Sequence, residues 1–154
     1  QNRRYIPMGY MDESVICSDK VRLMPNGTLY HFGILESNVH MAWMRTICAR
    51  LKSDYSYTVN NVYNNFPWPT PTEAQIKKIE QTAKSILDAR DLYPESSLSD
   101  LYDELTMPSE LRKAHQANDR AVMQAYGFPI KDFTESDCVT KLFEMYDKLN
   151  KKSN

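Results

Sequence analysis

The sequence predicts an α+β chain, with a small β-rich part containing one helix over residues 1–69 and a three-helix part over residues 70–154. Three observations carry this expectation. Residues 52–59 alternate strictly, which sends Lys52, Asp54, Ser56 and Thr58 to one face of a strand and Ser53, Tyr55, Tyr57 and Val59 to the other. Pro67, Pro69 and Pro71 then fall within five residues, a spacing that no helix or central strand tolerates and that marks a stiff extended connector. Beyond it, apolar residues recur at helical spacing in three long stretches, and the connector is taken as the domain boundary.

Residues 4–10, with Pro7 and Gly9, read as an extended edge segment. Short strands are expected over 14–17 and 21–24. Pro25-Asn26-Gly27 then turns the chain into a return strand over 28–35. Ser37 caps a helix whose Val39, Trp43 and Ile47 repeat on one face, with Met41 and Met44 as core. The alternating strand comes next, then the prolines. Thr70 with Glu73, or Thr72 with Gln75, forms a capping box that opens a helix to about Arg90 on Ile76, Ile79, Ala83, Ile86 and Leu87. Residues 92–107 read as irregular, with one short turn over 98–105. Pro108 opens a helix that Gly127 stops. Thr134 and Asp137 start the last helix, which carries Val139, Leu142, Phe143, Tyr146 and Leu149 on one face.

Composition narrows the class. The chain has 154 residues, 42% hydrophobic and 25% charged, as a soluble globular protein has. No apolar run approaches a membrane span or a signal peptide, and the opening on Gln1 suggests a piece of a longer chain. Cys17, Cys48 and Cys138 show no paired or metal-binding spacing, so a reducing, cytoplasmic setting is expected. His31, His40 and His115 lie far apart and read as structural or surface residues. The net charge of −1 hides an uneven distribution: residues 1–69 sum to +2 and residues 70–154 to −3. The first part also holds six of the ten tyrosines and both tryptophans, so basic and aromatic groups are interleaved there, as a nucleic-acid surface needs.

Catalytic constellations are missing. There is no Gly-rich phosphate loop, no nucleophile elbow and no zinc-protease helix. Asn65-Phe66-Pro67-Trp68 has the outline of the motif with which some enzymes hold a flipped adenine, but Phe occupies the second position and no cofactor-binding glycine strand accompanies it. Asn65 is therefore given no catalytic role, and the fragment itself is expected to hold no cofactor.

The run from His40 to Arg45, through Arg50-Leu-Lys-Ser-Asp-Tyr-Ser-Tyr57 to Val62-Tyr-Asn-Asn-Phe-Pro-Trp-Pro69, resembles the end of the target recognition domain of MmeI-like DNA methyltransferases. Leu101-Tyr-Asp-Glu-Leu-Thr-Met-Pro108, Leu111 to Ala117, Asp119 to Val122, Ala125 to Phe128 and Leu142 to Tyr146 resemble the small helical C-terminal domain of the same proteins. The resemblance implies residues 1–69 as the C-terminal portion of a target recognition domain and 70–154 as the helical domain. It also implies a parent chain that transfers a methyl group from S-adenosylmethionine to adenine N6, in some members beside a nuclease. Double-stranded DNA and the methyltransferase domain of the same parent chain are the partners implied.

In such proteins the variable positions of the Arg-Leu-x-Ser-x-Tyr-x-Tyr segment choose the bases, which here implies Lys52, Asp54 and Ser56. These are also the residues that alternation sets on the outward face. Lys can donate to guanine O6 and N7, Asp can accept from cytosine N4, and Ser serves either way. Lys20, Arg22 and Arg50 are the candidates for phosphate contacts. Asp54 is either a cytosine reader or an internal partner of Lys52. The competing reading, supported by the near-neutral charge, is a protein-interaction module that docks another subunit without touching DNA.

Overall fold

A computed structural model describes residues 4–18, 21–51 and 54–152, with the backbone alone at 49–51, 54–56 and 152. Six α-helices carry it: α1 (Leu29–Leu35), α2 (Asn38–Ile47), α3 (Glu73–Asp91), α4 (Leu98–Leu101), α5 (Ser109–Tyr126) and α6 (Glu135–Lys152). The strands among the described residues are β1 (Ala49–Leu51) and β2 (Asp54–Ser56), paired as one antiparallel hairpin. A π-helical turn, Val59–Tyr63, comes after it.

The expected β-rich α+β fold is thus corrected to a helical one. Residues 4–18 and 21–27 form no ladder among the described residues, and the return strand expected over 28–35 is α1. The Pro25-Asn26-Gly27 turn is real, with Asn26 at φ 57°. It leads into a helix start rather than a strand: Thr28 is extended and meets His31, whose Nδ1 accepts from the Thr28 N–H at 3.1 Å. Phe32, Gly33, Ile34 and Leu35 are buried in consecutive order, so α1 is wrapped by the core on most of its circumference, and burial outweighs the β-propensity of its residues.

The other helices begin and end where their chemistry dictates. Ser37 Oγ accepts from the His40 N–H to open α2, and Thr72 and Gln75 close a reciprocal box on α3. Ser97 opens α4, a short helix between further turns within 92–107. Gly127, at φ 71° in the left-handed region, stops α5. Asp137 N–H to Thr134 Oγ1 at 3.1 Å and Thr134 N–H to Asp137 Oδ2 at 2.8 Å start α6.

The core is shared along the whole chain. Helices α3 and α5 form its most extensive pair, α1 lies on α3, and α2 lies on α6. Ile79, Ile86, Leu111, Val122 and Leu142 are fully buried beside Ile34, Met44 and Trp43, each apolar side chain contributing about 1.5–3 kcal/mol by leaving water. The proline segment is held down too: Phe66 is buried, and the Tyr126 hydroxyl donates to the Pro67 carbonyl at 2.8 Å. By contrast Tyr10, Met11, Val15, Ile16, Val21 and Leu23 stay exposed. No helix among the described residues is long and apolar enough to cross a membrane.

A buried polar network ties the N-terminal residues to the helices behind them. Arg90 Nη2 donates to Glu36 Oε1 at 2.9 Å, Arg90 Nη1 to the Met8 carbonyl at 2.7 Å, and the Met8 N–H to Glu36 Oε1 at 2.5 Å. Arg90 Nε donates to the Tyr102 hydroxyl at 2.9 Å, leaving that hydroxyl's own proton for His115 Nε2 at 2.6 Å. The Tyr5 ring stacks on His115, and its hydroxyl donates to Asp119 Oδ2 at 2.6 Å. The same carboxylate accepts from the Asn38 N–H at 2.8 Å. Burial pushes the His115 imidazole down to about 3, helped by the Arg90 charge, and pushes Asp119 up to about 6.

Candidate nucleic-acid interface

The hairpin is the part of the described chain that carries the candidate base readers Asp54 and Ser56, and it is flanked by two described feet. Helix α2 ends at Cys48, which is buried and donates its N–H to the Met44 carbonyl at 2.8 Å. Strand β1 leaves from there, and the register pairs Ala49 with Ser56, Arg50 with Tyr55 and Leu51 with Asp54. This ladder places Asp54, Ser56, Leu51 and Ala49 on one face and Arg50 with Tyr55 on the other. Asp54 and Ser56 therefore share a face, as alternation requires, and Arg50 belongs to the opposite one.

The strand is shorter than the alternation predicts. It ends at Ser56, and Thr58 is not a fourth displayed hydroxyl: its Oγ1 accepts from the Asn61 N–H at 3.4 Å as the cap of the π-helical turn. Trp43 Nε1–H donates to the Val62 carbonyl at 3.0 Å, and the Asn64 N–H closes the wide turn on the Val59 carbonyl at 2.9 Å. Asn65 serves the same turn, donating Nδ2 to the carbonyls of Asn60 and Asn61 at 2.9 and 3.2 Å.

Tyr57, at the second foot, is half-buried on the inner side, and its hydroxyl lies 3.1 Å from His40 Nε2. His40 is fully buried, with Nδ1 2.9 Å from the Leu35 carbonyl. A carbonyl can only accept, so Nδ1 carries the proton, Nε2 offers a lone pair, and the Tyr57 hydroxyl donates to it. Burial holds this imidazole neutral, pushing it down to about 4. The same burial raises the Tyr57 phenol, and nearby Tyr63 and Cys48 add to the effect. Phe66 stands edge-on to His40 at 5.0 Å and to Trp68 at 5.5 Å, so the strand's exit runs along an aromatic column.

Of the residues singled out from the sequence, Asp54, Ser56 and Arg50 lie in the hairpin. Lys52, between its strands in sequence, and Lys20 lie outside the described residues. Arg22 is exposed in the segment before the Pro25 turn. His40 and Tyr57, which meet beside the hairpin's end, are not distinguishable in the sequence from ordinary core residues, because it shows no link between positions 17 apart. No group of three His, Cys, Asp or Glu side chains able to hold a metal occurs among the described residues.

Comparison with known proteins gives the arrangement its context. Residues 1–70 match the profile of the MmeI target recognition domain and residues 71–153 that of the MmeI C-terminal domain. A DNA methyltransferase A of Bacillus subtilis (strain 168) is 38% identical over 126 residues, covering 82% of this chain and 14% of that protein. A solved structure of the type IIL restriction-modification enzyme MmeI in complex with DNA superposes with a TM-score of 0.92 at 46% identity, over 98% of this chain and 20% of that one. The chain thus spans about a fifth or less of the length of these relatives. With both of its parts matched, the chain belongs to the MmeI family, as its target recognition and C-terminal region.

Proposed function

We propose that this chain reads a defined sequence of double-stranded DNA on behalf of a site-specific adenine methyltransferase. The observation that carries the reading is the likeness, over 98% of the chain and at 46% identity, to a protein solved in complex with DNA. The hairpin supports it physically. A two-stranded ribbon fits the major groove, and Lys, Asp and Ser at positions 52, 54 and 56 supply a donor, an acceptor and a group that can be either. Lys20, Arg22 and Arg50 are assigned to phosphates, where they set position and not sequence. S-adenosylmethionine and the methyl transfer to adenine N6 belong to another part of the full-length protein, which this chain would meet within one polypeptide.

Duplex binding by the full-length protein, followed by fluorescence anisotropy over a range of salt concentrations, tests the reading. The logarithm of the affinity is expected to fall linearly with the logarithm of the salt concentration, and variants of this chain's basic residues should flatten that line. Binding whose salt dependence and site preference ignore every substitution in residues 20–56 would leave DNA recognition to other parts of the protein.

A further inference from the structure

The turn between α1 and α2 gathers hydrogen bonds from three directions. Leu35 gives its carbonyl to His40 Nδ1, Glu36 takes Arg90 of α3, and Asn38 gives its N–H to Asp119 of α5. Residues 35–38 thus join the C-terminal helices to the buried imidazole that touches the hairpin's foot. The connection ends in a polar contact, the Tyr57 hydroxyl on His40 Nε2. Tyr57 directly succeeds β2, with Ser56 as its neighbour and Asp54 three residues back.

We propose that Tyr57 and His40 are positioning residues for sequence discrimination, fixing where the hairpin stands relative to the bases without touching DNA themselves. The inference rests on the hairpin being the base reader. Its chemistry is directional. Because Leu35 fixes the imidazole tautomer, Nε2 accepts only along its ring plane, and the phenol oxygen is held at one point on that line. The ring of Tyr57 also packs at 5.7 Å from that of His40, so removal of the hydroxyl alone leaves the packing and takes away the directional restraint. A foot without it lets β2 shift as a unit, which loosens base-edge hydrogen bonds while leaving charge attraction to phosphates in place.

The test is selection of bound duplexes from a randomised pool by the full-length protein, in its natural form and as Tyr57→Phe, Lys52→Ala and His40→Gln. Tyr57→Phe is expected to keep its thermal midpoint and its salt dependence but to lose preference for the selected site by about 10-fold, the worth of one well-made base-edge contact. His40→Gln, whose amide can donate to Leu35 and accept from Tyr57, is expected to retain more of the preference than Tyr57→Phe. Preference unchanged in Tyr57→Phe while Lys52→Ala alters it would overturn the positioning role and leave the hairpin reading intact. Preference unchanged in all three variants would overturn both, through failure of the hairpin reading. A loss of midpoint and of binding to all duplexes in equal measure would make Tyr57 a stability residue and likewise overturn the proposal.

Discussion

Arg90 on α3 and Glu36 at the end of α1 meet 54 residues apart in sequence, Nη2 to Oε1 at 2.9 Å, with side chains 8% and 0% exposed. The pair joins the segment that leads to the hairpin to the helices beyond the prolines. Its energetics are those of a buried ion pair, in which loss of one partner matters more than loss of both. Arg90→Met leaves the Glu36 carboxyl buried and unpaired, which is expected to cost about 3–5 kcal/mol. For a chain of this size that is on the order of 10 °C in thermal midpoint. The double variant Glu36→Gln with Arg90→Met should recover much of the loss, because no charge is then stranded. Thermal unfolding by circular dichroism above about pH 7, where Glu36 is ionised, measures it; equal losses in the single and double variants would contradict this account.

The same network sets a pH dependence of two opposing signs. Burial pushes Glu36 up to about 7, against the pull of Arg90, and its Oε2 has no hydrogen-bond partner among the described residues. The folded state then keeps a proton that the unfolded chain releases, so this group's contribution to stability falls as pH rises from about 4.5 to about 7. Asp119, pushed up to about 6, acts in the same direction. His40 and His115, pushed down to about 4 and about 3, run the other way: their contribution is full above about pH 6.5 and is lost as pH falls toward those values. Glu36→Gln removes one acid term and leaves the histidines. Its stability relative to the natural protein is therefore expected to climb between about pH 4.5 and 7 in urea unfolding. Parallel profiles would refute the assignment.

Gly33 lies where α1 meets α3 and α5. A Cβ there would stand 2.6 Å from Ile79 Cγ2, 3.0 Å from Asn118 Oδ1 and 3.2 Å from Ala83 Cβ. Asn118 cannot yield freely, since its Nδ2 donates to the Gly33 carbonyl at 2.7 Å and its Oδ1 accepts from Thr82 at 2.9 Å. Helix propensity favours Ala over Gly by about 1 kcal/mol, whereas an overpacked core loses about 1–3 kcal/mol. With two buried side chains and a hydrogen-bond pair in the way, the clash is expected to win, and Gly33→Ala should lower the denaturant midpoint. A raised midpoint would show that α1 can move off α3.

Arg22 offers a test of the phosphate assignment that does not depend on base readout. Arg22→Ala in the full-length protein is expected to weaken binding to all duplexes about equally and to reduce the salt slope by about one unit. A slope unchanged within error would place Arg22 away from the backbone.

What the sequence revealed and what it hid divide along physical lines. Helices α2, α3, α5 and α6 were legible because their start and stop signals are local: Ser37, Thr72 with Gln75, Gly127, and Thr134 with Asp137 all act within a single helical turn. Helix α1 was not legible. Its seven residues carry aromatic and β-branched side chains with Gly33 among them, and only the close approach of α3 explains that glycine. The strands expected over 14–17 and 21–24 failed because a strand needs a partner, and among the described residues only β1 and β2 supply one to each other. The alternation at 52–59 was too long at its end, where Thr58 takes up a capping role, and its Lys52 lies outside the described residues. The buried network was invisible, since Tyr5 and Asp119 lie 114 residues apart and nothing local announces their contact.

The central claim is that the hairpin reads bases, and the most direct measurement is the set of duplexes selected from a random pool by Lys52→Ala, Asp54→Ala and Ser56→Ala variants of the full-length protein. The account predicts that at least Lys52→Ala relaxes discrimination at a single base pair, by roughly 1 to 3 kcal/mol, with the other positions of the site retained. Identical site preference in all three variants, with overall affinity intact, would contradict it and leave base reading to other parts of the protein.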